Sequence, residues 1–114
     1  MTGWLQLEDK ICVVTGGGGG IGRAIGAVLT EAGAKVALLD RDAESVSAAA
    51  KALDAKGGRA IAIPCDIADP KSVEAAKTLV ERELGTADVL VNNAGVLAPG
   101  SLAEIDLAEW NRVL

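Results

Sequence analysis

The sequence predicts an α/β fold, a doubly wound parallel sheet with helices on both faces. Three observations carry that expectation. Short continuous apolar runs alternate with longer stretches that are apolar at three- and four-residue spacing, which suits strands buried on both faces and helices lying against them. The connections are short, as right-handed β-α-β crossovers require. Half of the 114 residues are apolar, but only two are aromatic, both Trp. The core must therefore be built from Ala, Val, Leu and Ile, with small-faced helices packed close to the sheet.

The elements follow in order. Residues 10–15, KICVVT, run apolar into a set of glycines and read as an interior strand. A helix follows over 20–32, with Ile21, Ala24, Ile25, Val28 and Leu29 at helical spacing and a stop at Gly33. KVALLD, residues 35–40, is a second strand ending in an acid. Asp42 is placed to cap a helix over 43–56, which Gly57 and Gly58 terminate. RAIAIPCD, residues 59–66, is a third strand, and Pro70 opens a helix that runs to about residue 84, before Gly85. ADVLVNNAG, residues 87–95, is a fourth strand breaking into a glycine-bearing loop, and DLAEWNRVL, residues 106–114, starts another helix. The whole reads as one domain over 1–114, without repeat or linker.

Composition removes several kinds of chemistry. With no His in the chain, a Ser-His-Asp triad and a histidine metal site are excluded, and no metal is expected. A net charge of −5 without a basic cluster lacks the footprint of a nucleic-acid binder. Cys12 and Cys65 sit in separate apolar runs and read as buried reduced thiols. No stretch approaches the roughly 18 apolar residues of a membrane span, and the first ten residues lack a leader pattern. A soluble cytoplasmic protein is expected.

In an open parallel sheet, ligands lie beyond the carboxyl ends of the strands, where strand order reverses. Each predicted strand ends there on something polar or backbone-exposing: Gly16 to Gly20 after the first, Asp40 after the second, Asp66 after the third, and Asn92, Asn93 and Gly95 after the fourth. Glycines between a strand and a helix let the main chain approach a pyrophosphate, whose charge the helix N-terminus stabilises. Asp40 lies 24 residues after Gly16, close to the roughly 20 expected of an acid that accepts the ribose hydroxyls of an adenosine. A 2′-phosphate would meet Asp40 as a like charge, so NAD is favoured over NADP, with Arg41 next door as the feature that keeps NADP open. Taken singly, the glycines, Asp66 and NNAG are each compatible with ordinary turns.

These residues resemble the short-chain dehydrogenase/reductases, in particular the 3-oxoacyl-carrier-protein reductases. TGGGGGIG at 15–22 matches the family's TGxxxGxG, and LLDR at the second strand, CDI at the third and VNNAG at the fourth follow in the family's order. The resemblance implies a Rossmann fold and an NAD(P)-dependent oxidoreductase moving hydride between nicotinamide and a carbonyl or alcohol. It implies that Gly16, Gly18, Gly19, Gly20, Ile21 and Gly22 bind the pyrophosphate and adjoining ribose, Asp40 and Arg41 the adenosine ribose, and Asp66 with Ile67 the adenine. Asn93, Ala94 and Gly95 would flank the nicotinamide ribose, and Asn92 would steady the central sheet. Gly16, Gly20 and Gly22 fall on the family's required positions, and Gly17, Gly18 and Gly19 on variable ones where a basic side chain would favour NADP.

One departure is as informative. The family's proton donor is a Tyr, served by a Lys and a Ser, and this chain has no Tyr. Ser101 comes too early for the family's serine, and Asn111 is not its catalytic asparagine. The expectation is the cofactor-binding half of such an enzyme, truncated after the fourth strand and the start of the next helix and not catalytic by itself. Its fourth strand would then be a sheet edge, with self-association or partial disorder near residues 96–114. A non-catalytic adenosine-binding module and a scaffold that binds nothing remain as alternatives.

Overall fold

The structure, a computed structural model, describes residues 6–94. Gly95, the helix expected over 106–114 and the behaviour expected of 96–114 lie outside the described residues. The elements are β1 (Ile11–Thr15), α1 (Gly20–Glu31), β2 (Lys35–Asp40), α2 (Ala43–Ala55), β3 (Arg59–Pro64), α3 (Pro70–Glu83) and β4 (Val89–Val91). The strands are parallel, in the order β3-β2-β1-β4. The chain thus builds outward from β1 to β2 and β3, then returns to lay β4 on the other side of β1. In register, Val14 of β1 stands between Leu38 of β2 and Val91 of β4.

The strands are apolar on consecutive residues because both faces are covered. Cys12, Val14, Val36 and Leu38 point to one face, where they pack with Val46, Ala49, Ala50 and Leu53 of α2 and with Ile25, Ala27 and Leu29 of α1. Ile11, Val13, Ala37, Leu39 and Ile63 point to the other and meet Ala76 and Val80 of α3. Each fully buried Val or Leu contributes on the order of 1.5–3 kcal/mol of transfer free energy. Helices on both faces of a parallel sheet make the fold doubly wound, as expected.

One helix face and two strand boundaries differ from the sequence reading, each for a local reason. α1 turns Gly22 and Gly26 to the sheet, and Ile21 and Val28 of its apolar stripe are exposed; a Cβ at Gly26 would stand 3.1 Å from Leu38 Cδ2, a tight contact that the Leu38 side chain would have to relieve. β3 stops at Pro64, because the Cys65 amide makes the last bond to β2, to Asp40 O at 2.9 Å, and the Asp66 amide donates instead to Ser72 Oγ at 2.9 Å. β4 is confined to Val89–Val91, and its Leu90 is exposed. Among the described residues no helix is long and apolar enough to cross a membrane, and no group of three metal-ligating side chains occurs.

Candidate functional site

Because all strands are parallel, Gly16, Asp40, Asp66 and Asn93 come out at one edge of the sheet. Strand order reverses between β1 and β4, and there the two chains are tied together. Thr15, buried at the end of β1, accepts the amides of Asn93 and Ala94 at Oγ1, each at 3.0 Å, and donates to Val91 O at 3.3 Å. The Asn93 side-chain amide donates to Gly16 O at 3.3 Å. It is Asn93, with Thr15, that joins the strands here, while Asn92 is exposed.

The glycine turn divides into three parts. Gly16 has φ +66°, a left-handed conformation that costs a side-chain-bearing residue strain, and a Cβ there would lie 2.9 Å from Asn93 Nδ2 and 3.0 Å from Ala94 Cα. Gly17 and Gly18 knit the turn to β2: the Gly17 amide donates to Leu39 O at 2.9 Å and the Gly18 amide to Asp40 Oδ2 at 3.0 Å. A Cβ at Gly17 would fall 2.7 Å from Leu38 Cβ, and one at Gly18 would fall 2.7 Å from Ser45 Cβ and 2.9 Å from Asp40 Oδ2. In this chain, therefore, positions 17 and 18 leave no room for a side chain. Only Gly19 has room among positions 17 to 19, its nearest neighbour being 3.6 Å away, and Gly20 has nothing within 4 Å. At Gly22 a Cβ would overlap Gly16 O, so α1 can start this close to the turn only on glycine.

The third part is the start of α1. Its N-cap is Gly19, with no side-chain cap and no acid in the first turn. In contrast, α2 is capped by Asp42, which accepts the amides of Glu44 and Ser45, and α3 by Asp69, which accepts that of Lys71. The amides of Gly17, Gly18 and Gly19 are engaged within the fold, the last with Gly16 O at 3.2 Å. A helix leaves its first N–H groups without carbonyl partners. Here these are the amides of Gly20, Ile21 and Gly22 at the positive end of the helix dipole, with open space at Gly20, Ile21 exposed and Gly22 buried against the turn. An uncapped terminus of this kind, with backbone bare enough for close approach, fits a phosphate or pyrophosphate.

Asp40 is fixed as well as exposed to the site. Oδ2 accepts the Gly18 amide and Oδ1 the Asp42 amide at 3.1 Å. A carboxylate oxygen has two lone-pair directions, so each retains one for a hydroxyl donor. Arg41 is exposed beside it. Asp66 is held differently: its Oδ1 accepts the Ala68 amide at 3.0 Å, and Ile67 is exposed. It shares the sheet edge with Asp40 through the Cys65–Asp40 backbone bond, but its side chain makes no bond to the glycine turn among the described residues.

Two contributors were not singled out from sequence. Thr15 is one; a hydroxyl at the buried end of an otherwise apolar strand was the available signal. Arg23 is the other, donating through Nε to Gly18 O at 3.1 Å and through Nη2 to Ser45 O at 3.3 Å. Hydrogen bonds from the Ser45 hydroxyl and amide hold the Asp42 carboxyl below the usual aspartate range. Burial, and secondarily the Asp88 carboxylate, push the Cys12 thiol up.

Comparison with known proteins accords with this geometry. Residues 10–114 match the family described as short chain dehydrogenase. The 2,3-dihydro-2,3-dihydroxybenzoate dehydrogenase of Bacillus subtilis is 38% identical over 104 residues, covering 91% of this chain and 40% of that protein. The meso-2,3-butanediol dehydrogenase of Serratia marcescens is 38% identical over 109 residues, covering 96% of this chain and 43% of that protein. Among solved structures, a metagenomic short-chain oxidoreductase in complex with NADP superposes with a TM-score of 0.84 at 40% identity, over 94% of this chain and 49% of that one. The chain therefore spans less than half the length of each.

Proposed function

The chain belongs to the short chain dehydrogenase family, and on that premise we propose that it forms the dinucleotide-holding part of an NAD(P)-dependent oxidoreductase acting on a carbonyl or alcohol. The observation that carries the reading is the contrast between α1 and its sister helices: α1 alone among α1, α2 and α3 begins without a side-chain cap, and it does so on glycine beside open space. In this reading the amides of Gly20, Ile21 and Gly22 take the pyrophosphate. Asp40 accepts the hydroxyls of the adenosine ribose, with Arg41 beside it. Asp66 and Ile67 border the adenine, and Asn93, Ala94 and Gly95 the nicotinamide ribose.

Bound nicotinamide supplies hydride exchange, the redox half of such a reaction. The protein's share in these 114 residues is to bind, orient and hold the dinucleotide. The chain has no Tyr, the residue to which the family resemblance assigns the matching proton, and on this reading these 114 residues bind without turnover. NAD is the preferred ligand, because a 2′-phosphate would bring its charge against the Asp40 carboxylate. The protein works in the cytoplasm and meets further copies of itself rather than nucleic acid; the exposed Leu90 on β4 supports the self-association, which sedimentation analysis would read directly.

Titration calorimetry with NAD, NADP and AMP tests the reading. NAD is expected to bind more tightly than NADP, and Asp40→Ala to weaken NAD by about tenfold, the worth of a hydrogen bond to a charged acceptor. Failure of the folded chain to bind any of the three would overturn it.

A further inference from the structure

We infer that Arg23 is a positioning residue that sets the Asp40 carboxylate for recognition of the ribose 2′-hydroxyl, an inference that rests on the dinucleotide reading above. It starts from Gly18. That residue has no side chain to restrain it, and its two flanking peptide groups would otherwise rotate freely. Both are anchored from outside the turn. The amide on its N-terminal side donates to Asp40 Oδ2 at 3.0 Å, and the carbonyl on its C-terminal side accepts from Arg23 Nε at 3.1 Å.

The same guanidinium reaches a third segment. Nη2 donates to Ser45 O at 3.3 Å in the first turn of α2. Ser45 is also the residue whose Cβ backs Gly18, and its hydroxyl donates to Asp42 Oδ2 at 2.8 Å. Asp42 in turn gives its amide to Asp40 Oδ1 at 3.1 Å. Arg23 thus closes a ring that runs from α1 through Gly18 to Asp40, on to Asp42 and Ser45, and back to α1. Asp40 is held at both oxygens by backbone amides whose own positions depend on that ring.

Arginine suits the task because its planar fork holds two carbonyls at a fixed separation, whereas the rotatable donors of a lysine ammonium impose none. Arg23 is exposed, so its hydrogen bonds have little weight as stabilising contacts. What the ring controls is orientation, and orientation decides how well a carboxylate accepts a particular hydroxyl.

The test compares binding of 5′-AMP and 2′-deoxy-5′-AMP, which differ only in that hydroxyl, by calorimetry on the chain and its variants. The unaltered chain is expected to prefer AMP by about tenfold, and Asp40→Ala to abolish the preference. Arg23→Ala is expected to reduce it to about twofold, and to add nothing in the Asp40→Ala background. Loss of the Arg23 charge, or a general loosening of the fold, would weaken both nucleotides alike and leave their ratio unchanged. Arg23→Lys keeps the charge and gives a second reading should the alanine variant fail to fold; its preference is expected to fall to about threefold. A full preference in either Arg23 variant overturns the inference while leaving the dinucleotide reading intact. Absence of binding by the unaltered chain overturns both.

Discussion

Thr15 and Asn93 stand 78 positions apart in sequence, and the hydroxyl of one accepts the main-chain amide of the other at 3.0 Å. That bond, with its twin to Ala94, joins the last residue of β1 to the loop after β4 where strand order reverses. The hydroxyl is buried, and deleting it takes away the partner of the Ala94 amide, while the Asn93 amide keeps its bond to Val91 O at 3.1 Å. Thr15→Val, which keeps the shape, is expected to cost about 1–3 kcal/mol in urea denaturation, and Thr15→Ser to cost far less. Equal loss in the two variants would assign the effect to packing.

The glycines of the turn separate by stability and binding. Gly18→Ala places a methyl 2.7 Å from Ser45 Cβ and is expected to destabilise the fold by about 1–3 kcal/mol. Gly20→Ala meets nothing within 4 Å, so it is expected to leave the unfolding midpoint unchanged or raise stability by up to about 1 kcal/mol. Its methyl projects from the backbone that a pyrophosphate would approach, and NAD affinity is expected to fall. Thermal unfolding and calorimetry on the pair check both halves.

Acid should act on the start of α2. Asp42 is held below the usual aspartate value by its bonds from Ser45 and Glu44, so the unfolded chain takes up that proton first as pH falls. The stabilisation is present above about pH 4 and is lost below it, as pH drops through the folded value. Asp42→Asn is expected to lower the midpoint by a few degrees at neutral pH and to flatten the acid limb of the stability profile. An unchanged acid limb would assign the titration to other carboxylates.

Alkali should act through Cys12. Its thiol is raised by burial and by Asp88, so here the folded state holds the proton longer. The stabilisation is complete below the unfolded thiol value, about 8.5, and is lost as pH rises from there through the folded one. Cys12→Ala is expected to flatten the stability profile above about pH 9. Both Cys12 and Cys65 are buried, and labelling by a thiol reagent is expected to follow unfolding in urea rather than precede it. Rapid labelling of the native chain would contradict their placement.

Much of this was legible in the sequence. The apolar runs located all four strands of the described residues; the signature is strongest where both faces are covered, and β2 came out residue for residue at 35–40. Asp42, Pro70 and the stops at Gly33, Gly57 and Gly85 reflect local chemistry, which a single sequence carries in full. The partners of Gly18 were not legible. Its crowding comes from Ser45 and Asp40, 27 and 22 positions away, and only the closed fold brings them to it. The same holds for Arg23, whose place on an exposed helix surface gives no hint that it reaches two backbone carbonyls.

The uncapped start of α1 has a thermodynamic consequence. Asp42 and Asp69 cap their helices from within, so the starts of α2 and α3 have side-chain acceptors as soon as the chain folds. α1 has no such cap, and under the proposed function an anion from solution takes its place. The folded state is therefore linked by mass action to the concentration of that anion, gaining RT ln(1 + [L]/Kd), about 2.7 kcal/mol at a hundredfold excess over Kd. For a chain of this size such a gain is a large part of the total, so the same few amides govern both the lifetime of the fold and its occupancy.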